Sequence, residues 1–444
     1  MQREKNMEIK QKFKEKYITA LEAVSKIKSN KTIGVGIAGA EPVGLLTAMA
    51  DVALDVENVH FWTCLPMRPY DIFSKADMAG HIFNENWFYS YTDRQVHSEG
   101  RVSYIPNNLH RASTDKLYST NNHLDVFWGT ATPPNKDGYL SLSIGLIVQK
   151  DLLESADLKI LEINENLPFT YGDTLVHISD IDFLVENHVP LVELPSSPPS
   201  EIEQQIGGYI ADLIEDGSTI QLGIGGIPNA ITAFIMERKD LGIHTEMVVD
   251  GMVDLVEAGV VTNRKKTLHP GKTIGAFALG SKKLYHFLDQ NKEVEMYRGH
   301  YINDPYVIAK NYKMISVNTA LQVDILGQVC SQSIGTRQFS GTGGQLDTHR
   351  GAQMSPGGRG IIALRSTAKN GSISTIVPTL IPGAGVTVPS QDVDTIITEY
   401  GIAELRGRCI KDRMAALVNI AHPNFRDWIR DEAHRLGIVP KMQF

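Results

Sequence analysis

Three glycine-rich stretches are the parts of this sequence whose composition and spacing point most directly to chemistry. The first, Gly34–Gly39, matches the GxGxxG pattern of dinucleotide-binding turns. Such a site also needs an acidic residue at the end of the next strand, beside the ribose, but Glu57 precedes the strand predicted over residues 59–63. This disfavours NAD binding and favours a tight strand-to-helix turn in which only glycine fits.

The second stretch, Leu222–Ala230, contains Gly223, Gly225 and Gly226 and then a Pro-Asn pair. Pro228 suits the first turn of a helix, and the N–H groups at a helix start favour anions. We interpret this stretch as a loop that faces the substrate, and a purely structural turn is the alternative.

A carboxylate follows this second loop along the chain. Gly242 is predicted to end a helix, and residues 244–249 are predicted to form the next strand, which carries Glu246. Most single glutamates at strand edges are solvated or ion-paired, so Glu246 is one candidate nucleophile beside that ordinary interpretation. His244 is a candidate partner for it, and a structural histidine is the alternative. The 14 histidines show no metal-ligand spacing such as HExxH, so no metal site is expected.

The third stretch, Ser340–Asp347, contains Gly343 and Gly344. Paired backbone N–H groups in such a loop can stabilise an oxyanion, and a flexible surface loop is the alternative. The segment over residues 397–407 is too regular for a linker, and it carries Glu399 as a second candidate carboxylate.

Two α/β domains must position these loops. The linker Leu194–Ser200 holds three prolines and three serines, and it divides the chain into an N-terminal domain over 1–195 and a C-terminal domain over 200–444 that carries Glu246. Each part begins with a helix, a strand, a glycine-rich turn and a second helix, which indicates an internal repeat. Ser200 and Glu203 are predicted to form a capping box at the start of the first helix of the second part. Further strands are predicted over residues 158–163, 361–364 and 395–398, and mostly parallel sheets covered by helices are the expected architecture.

Composition excludes several classes of function. The 444-residue chain has a net charge of −8 at pH 7, which gives no electrostatic signature for binding nucleic acid. Its three cysteines form no CxxC pair, which suits a reducing compartment. The N-terminus has no apolar core of a signal peptide, and no apolar run reaches the ~20 residues of a membrane helix. We therefore expect a cytoplasmic protein without a membrane partner.

Several longer stretches together carry a resemblance to a known family. They read LGIGGIPNA (222–230), LGIHTEM (241–247), NDPYVI (303–308), SGTGGQLD (340–347), TEYGIAELRG (398–407) and IAHPNFRD (420–427). Over nearly its whole length the chain resembles the acetyl-CoA hydrolase/transferase family of class I CoA transferases. Within it, the chain is most similar to the branch containing 4-hydroxybutyrate CoA-transferase and butyryl-CoA:acetate CoA-transferase.

The resemblance implies a fold, an activity and a set of site residues. The fold would be two CoA-transferase-type α/β domains with the active site between them. Glu246 would be the nucleophile, Asn303 would orient the thioester, and the Gly344 N–H would hold the oxyanion. Glu399 matches another active-site glutamate, and Lys369 would lie near the phosphates of CoA.

The same resemblance implies substrates and partners. Acyl-CoA thioesters and carboxylic acids would be the substrates, with no tightly bound cofactor, and the chain would form a homodimer or a multiple of one. A hydrolase with water as acceptor is the alternative activity. A CoA- or nucleotide-binding protein without catalysis is a rival from another class, which the intact Glu246 beside three glycine clusters disfavours.

One departure from the family pattern bears on specificity. Where relatives commonly read Asp-Phe after the glycine loop, this chain reads Asp347-Thr-His-Arg350. His349 and Arg350 near an acyl pocket would favour a dicarboxylic acid, so that itaconate or succinate would compete with 4-hydroxybutyrate as acceptor. A solvated loop variation is the alternative interpretation.

Overall fold

The computed structural model describes residues 9–194 and 197–440. Pro195 and Ser196 of the predicted linker lie outside the described residues, as do the N-terminal residues discussed for targeting. The chain forms two compact units, with these limits: Met1–Pro195, Glu246–Val248 and Ile274–Ile302 in the first; Ser196–Thr245, Val249–Thr273 and Asn303–Phe444 in the second.

The division at Pro195 and Ser196 falls inside the predicted linker. The second unit differs from the prediction, because it is not continuous over residues 200–444. Glu246–Val248 and Ile274–Ile302 belong to the first unit. The nucleophile candidate Glu246 is therefore counted with the N-terminal part of the chain, although the sequence placed it in the C-terminal domain.

The first unit contains a seven-stranded sheet in which every described pair is parallel. Its strands are β1 (Thr32–Val35), β2 (Val59–Thr63), β3 (Ile82–Asn86), β4 (Val102–Tyr104), β5 (Leu124–Ala131), β7 (Ala156–Ile163) and β10 (Phe183–Glu186). Their order is β10-β7-β5-β1-β2-β3-β4. The chain leaves β1 on one side toward β4 and returns on the other side through β5, so the strand order reverses between β1 and β5.

Helices and short strands surround this sheet. The helices of the first unit are α1 (Ala20–Val24), α2 (Val43–Ala48), α3 (Asp71–Ser74), α4 (Tyr91–Val96), α5 (Ala112–Ser119), α6 (Gln149–Ser155), α10 (Lys282–Leu288) and α11 (Gly299–Ile302). The short strands β6 (Tyr139–Ser141) and β9 (Leu175–His177) pair antiparallel, and β8 (Tyr171–Gly172) pairs with β14 (Val294–Met296) in parallel. Apolar side chains such as Ile33, Phe61 and Trp128 are fully buried and form the core between sheet and helices.

The first glycine stretch forms a tight turn, as the sequence predicted. A Cβ atom on Gly36 would lie 2.5 Å from the Ala40 carbonyl oxygen and 2.6 Å from Gln149 Nε2. No side chain fits there, because the backbone of the turn occupies the space. The turn links β1 to α2, whose N-cap is Pro42.

The second unit repeats this arrangement around a second parallel sheet. Its strands are β11 (Thr219–Gln221), β12 (Gly242–Val248), β15 (Met314–Thr319), β20 (Arg359–Ala363), β24 (Thr395–Thr398) and β25 (Gly401–Glu404). β11 pairs with β12 and β15, β15 pairs with β20, and β20 pairs with β24, all in parallel. β25 closes the edge antiparallel to β24. The strand order here reverses between β11 and β15.

The remaining elements of the second unit are helices and short strands. The helices are α7 (Glu201–Asp212), α8 (Gly226–Phe234), α9 (Asp250–Glu257), α12 (Pro305–Ile308), α13 (Gln345–Met354), α14 (Ile410–Ile420) and α15 (Arg426–Arg435). The short strands are β16 (Gln322–Asp324), β17 (Val329–Cys330), β18 (Ser333–Ile334), β19 (Arg337–Gln338), β21 (Thr367–Ala368), β22 (Ile373–Ser374) and β23 (Ile376–Val377); β13 (Thr273–Ala278) begins at the limit between the two units. Across residues 9–194 and 197–440, no helix is both long and apolar enough to cross a membrane.

Two local predictions around α7 and β12 have different outcomes. The capping box is confirmed: Glu203 N–H donates to Ser200 Oγ at 3.4 Å, and Ser200 N–H donates to Glu203 Oε2 at 2.8 Å. Gly242 does not end a helix as predicted, but is the first residue of β12. A Cβ atom there would lie 2.3 Å from Lys266 Cγ, so this glycine makes room for the lysine stem.

Candidate active site

The functional candidates of the second unit lie where its parallel strands end. The second glycine stretch follows β11, Glu399 follows β24, and Ser366 follows β20 by three residues. Because the carboxyl ends of parallel strands share one edge of a sheet, these positions lie on the same edge. In open α/β sheets this edge binds ligands, at the point where the strand order reverses.

The loop after β11 is shaped by its glycines. Gly225 has a φ of 112°, in the region that favours glycine, and it is the N-cap of α8. A Cβ atom on Gly226 would lie 2.2 Å from Glu203 Oε2, so a carboxylate already lies against the start of this helix. Glu203 is in turn ion-paired with Arg365 at 2.7 Å. Gly223 and Gly225 have open space at the Cβ position.

The third glycine stretch leads into α13. Gly343 has a φ of 52°, and Gly344 is the N-cap of the helix with a φ of −91°. The Gly344 carbonyl oxygen accepts the Thr348 N–H at 2.9 Å. Within the described residues the Gly344 N–H has no acceptor, which is what an oxyanion donor requires.

A buried network of polar side chains connects these two loops within the second unit. Ser316 Oγ donates to Gln221 Oε1 at 2.8 Å and forms a second hydrogen bond, 2.9 Å long, with the Thr348 hydroxyl. Asn318 Nδ2 donates to Thr348 Oγ1 at 3.0 Å. Gln221 ends β11 and Thr348 lies on α13, so the network fixes the glycine loop after β11 relative to the loop before α13.

Sequence reasoning missed this network, although a signal was present. Ser316 and Asn318 alternate with apolar residues in the strand Met314–Thr319 and occupy the same face. Polar residues that recur with period two inside a buried strand need hydrogen-bond partners. That pattern was sufficient to predict a polar contact, but it could not identify Thr348 as a partner.

Glu399 is held by Ser366 at the end of β24, and Lys369 lies three residues after Ser366 in the chain. Glu399 accepts two hydrogen bonds from Ser366, one from the backbone N–H at 2.9 Å and one from Oγ at 2.5 Å. Lys369 is exposed on the turn between β21 and β22, where its φ is 47°. Ser366 therefore links Glu399, which it binds through hydrogen bonds, to Lys369, which follows it on the β21–β22 hairpin.

Asn303 and His244 are both buried in the second unit. Asn303 has no exposed surface, and it lies between α11 and α12. His244 is 1% exposed, and its Nδ1 lies 2.9 Å from Asn311 Nδ2. This hydrogen bond joins His244 of β12 to the segment that precedes β15.

The structure corrects the assignment of His349 to the substrate pocket. Residues 347–350 are part of α13 rather than of a loop, and His349 has no exposed surface. Its Nε2 accepts the Asp394 N–H at 3.1 Å, and its ring lies against Gly360. Arg350 forms two hydrogen bonds with Asp392, at 2.8 and 2.7 Å. Both side chains fasten α13 to neighbouring segments, so the argument for a dicarboxylate that rested on them is lost.

Glu246 is the fifth residue of β12 and is counted with the first unit. Its charge acts on Cys64, which follows β2. Burial raises the pKa of the Cys64 thiol, and the negative charges of Glu246 and Asp93 raise it further. Cys64 is thus a buried thiol on which the charge of the candidate nucleophile acts, and the sequence did not reveal it. Its position directly after the predicted strand over 59–63 was the available signal.

The described residues offer no set of side chains that could bind a metal ion. In the part of the chain that the structure describes, no group of three or more His, Cys, Asp or Glu side chains could hold a metal ion. The cysteines Cys64, Cys330 and Cys409 are free thiols, the first two of them buried.

Comparison with known proteins agrees with this architecture. The N-terminal domain model of the acetyl-CoA hydrolase/transferase family matches residues 1–193, and the C-terminal domain model matches residues 280–433. The 4-hydroxybutyrate coenzyme A transferase of Clostridium kluyveri is 43% identical over 430 residues, 96% of this chain and 99% of that protein. The succinyl-CoA:cyclohexane-1-carboxylate CoA transferase of Geobacter metallireducens is 40% identical over 427 residues, 96% of this chain and 97% of that protein.

Solved structures also resemble this chain over nearly its whole length. The crystal structure of RipA from Yersinia pestis has a TM-score of 0.91 at 34% identity, covering 97% of this chain and 100% of that one. The fold, with its mostly parallel sheets and glycine-rich strand ends, is that of a CoA transferase. The chain belongs to the acetyl-CoA hydrolase/transferase family.

The corrected role of His349 gives a prediction for stability. Burial lowers the pKa of His349 from 6.5 to about 4, so between these values the unfolded chain binds a proton that the folded chain does not. This contribution to stability is present above pH 6.5 and is lost as the pH falls toward 4. From pH 7 to pH 5 the loss is about 2 kcal/mol.

The His349→Gln variant lacks this titration, and urea unfolding of both proteins at pH 7 and pH 5 measures the difference. We expect the free energy of unfolding of the wild type, relative to that of the variant, to be about 2 kcal/mol lower at pH 5 than at pH 7. Burial raises the pKa values of Glu41 and Glu162 to about 7, so these two carboxyls stabilise the folded state as the pH falls. Their contribution is the same in both proteins and cancels in the difference between them. Parallel pH dependences would mean that His349 does not titrate as a buried neutral ring.

Proposed function

We propose that this chain is an acyl-CoA:carboxylate CoA-transferase that works by ping-pong transfer through a glutamyl-CoA thioester on Glu246. The observation that carries the proposal is the position of Glu246 in β12 of a chain whose named relatives are CoA transferases. Monocarboxylates of the 4-hydroxybutyrate, butyrate and acetate type are the proposed acids. Itaconate and succinate remain candidates only through the family, because His349 and Arg350 no longer support them.

The proposed chemistry needs a carboxylate and no general base. The Glu246 carboxylate attacks the thioester carbonyl carbon of an acyl-CoA, the C–S bond breaks, and CoA leaves as a thiolate with an acyl-glutamyl anhydride on the enzyme. The thiolate then attacks the glutamyl carbonyl carbon and displaces the first acid as its carboxylate. A second carboxylate reverses both steps and leaves as the new acyl-CoA.

Each attacking and leaving group in this sequence is already an anion. No proton has to move, so neither a catalytic triad nor a metal is needed. The barrier lies in the tetrahedral oxyanions, and the proposed donor for them is the Gly344 N–H. Asn303, Glu399, Lys369 and the glycines after β11 are the proposed substrate-binding groups, by resemblance to the family.

Glu246→Ala is expected to abolish transfer, because no other group can carry the CoA. Intact-protein mass spectrometry after incubation with an acyl-CoA should show an adduct of CoA less water on the wild type and none on this variant. Glu201→Ala, which removes an exposed glutamate from the first turn of α7, is the matched control. It should keep both the transfer activity and the CoA adduct. Residual turnover of Glu246→Ala at the wild-type rate would refute the mechanism.

To identify the acids, the protein is incubated with acetyl-CoA or succinyl-CoA and one acceptor at a time. The acceptors are acetate, butyrate, 4-hydroxybutyrate, succinate and itaconate. New acyl-CoA species establish a transferase. Free CoA without a new thioester identifies the hydrolase instead. Light scattering of the purified chain measures the homo-oligomer that the family implies.

Gly344→Pro tests the oxyanion donor. Proline removes the N–H but fits the observed φ of −91° approximately, while Gly344→Ala keeps the N–H and serves as the control. We expect kcat to fall about 10²–10³-fold in the proline variant and much less in the alanine variant. Equal losses in the two variants would assign the effect to the added side chain and remove Gly344 from the oxyanion site.

A further inference from the structure

Two side chains hold the first turn of α13 against the strand β15. Gln345 Nε2 donates to the Thr319 carbonyl oxygen at 3.1 Å, and the Thr348 hydroxyl forms hydrogen bonds with Ser316 and Asn318. Gln345 and Thr348 are three residues apart, so they lie on the same face of the helix. Their exposed fractions are only 6% and 3%. The first turn is therefore attached to the inside of the second unit.

The strand that receives these bonds has a neighbour on each side. β15 pairs in parallel with β11 and with β20. Ser316 has no exposed surface, and its hydroxyl donates to Gln221 Oε1 at the end of β11. Asn318 Nδ2 lies 3.0 Å from both Ser316 Oγ and Thr348 Oγ1. A buried network whose members all have partners is rigid and fixes one arrangement of its side chains.

The residue that this turn presents is Gly344. Gly344 is the N-cap of α13 and gives the helix no capping hydrogen bond from a side chain. Its carbonyl oxygen accepts the Thr348 N–H at 2.9 Å. Its own N–H has no acceptor in the part of the chain that the structure describes. Thr348 thus binds Gly344 through its backbone and the sheet through its hydroxyl.

The remainder of α13 is fastened by different contacts. His349 Nε2 accepts the Asp394 N–H, and Arg350 forms two hydrogen bonds with Asp392. These bonds attach the helix to the segment before β24 and do not involve the Thr348 hydroxyl. A Thr348→Val variant keeps all of them, together with the branched shape of the side chain, so we expect it to fold.

An oxyanion donor needs the kind of support that Thr348 provides. Such a donor stabilises the tetrahedral intermediate only if it is aimed before the charge forms, and a misplacement of about 1 Å can lower the rate about 10²-fold. Glycine has the most flexible backbone of all residues, and Gly343, with a φ of 52°, directly precedes Gly344. The aim of the Gly344 N–H must therefore be set by the helical turn that follows it.

We propose that Thr348 is a positioning residue, which fixes the first turn of α13 to β15 through Ser316 and Asn318 and so aims the Gly344 N–H at the oxyanion. The inference rests on the proposed role of Gly344 as oxyanion donor. Because Thr348 is buried, it acts through Gly344 and not by contact with a substrate. It therefore affects kcat and leaves the binding of acyl-CoA and of the acid unchanged.

Removal of the hydroxyl tests this role. Thr348→Val should lower kcat about tenfold or more, with KM values within about twofold of wild type, and Thr348→Ser should recover most of the loss. Thr114→Val is the matched control and should keep the wild-type kcat. Thr114 on α5 also donates its hydroxyl to the carbonyl three residues earlier, at 3.2 Å against 3.4 Å for Thr348, but it is exposed. A wild-type kcat in Thr348→Val would overturn the proposal.

A double-variant cycle distinguishes positioning from a general loss of structure. If Thr348 acts through the Gly344 N–H, its effect disappears once that N–H is absent. In a Gly344→Pro background, Thr348→Val should therefore change kcat less than about twofold. The proteins are compared at equal folded fraction, measured by circular dichroism. A merely structural role would lower kcat by the same factor in both backgrounds, and that additive result would contradict the proposal.

The same cycle separates this inference from the proposed function. If Gly344→Pro itself keeps the wild-type kcat, Gly344 is not the oxyanion donor and the role of Thr348 fails with it, while the CoA adduct still decides the role of Glu246. If Gly344→Pro loses activity and Thr348→Val does not, only the positioning role is wrong. If the chain proves to be a hydrolase, the cycle is measured on the release of CoA, because hydrolysis also passes through a tetrahedral oxyanion.

Discussion

The direction of the parallel strands is the constraint on which the rest of the structure depends. A parallel sheet brings all of its carboxyl ends to one edge, so loops that are far apart in sequence meet there. In the second unit this joins the glycines after β11, Ser366 after β20 and Glu399 after β24. In the first unit it joins the turn after β1 to the loop after β2. The turns after β1, β2 and β11 each carry a left-handed residue or glycine, namely Ala38, Leu65 and Gly225, because the chain turns sharply there from strand to helix.

The spacing of apolar residues and the positions of glycine, proline and serine were enough to predict the two α/β units. The strands over 59–63 and 395–398 have the predicted limits, and the Ser200–Glu203 capping box forms as expected. Such features depend on neighbours in the sequence, and a single chain contains them. The return of residues 274–302 to the first unit depends on tertiary contacts, and no local pattern reports it. Local patterns could therefore predict the division at the linker but not this return of the chain.

The error over His349 has a specific physical cause. A glycine loop followed by His-Arg suggests a polar lining, because charged types next to glycine are usually exposed. Here the last glycine is a helix N-cap, so His349 lies one turn into α13 and faces Gly360, whose missing side chain leaves room for the imidazole. Arg350 finds its counter-charge in Asp392, more than forty residues away in the chain. Pairings of this range decide whether a polar residue binds a ligand or supports the fold, and they are visible only in three dimensions.

The charge of Glu246 has a second consequence for the proposed chemistry. A thiolate beside a thioester would attack it and exchange the acyl group onto the protein, which would compete with the glutamate. Burial holds the pKa of the Cys64 thiol well above its usual range, and the negative charges of Glu246 and Asp93 raise it further. At neutral pH the sulfur is thus protonated and unreactive, and it contributes only its size and polarizability. Burial is the larger cause of this raised pKa, so the fold itself keeps this cysteine from competing with the proposed nucleophile.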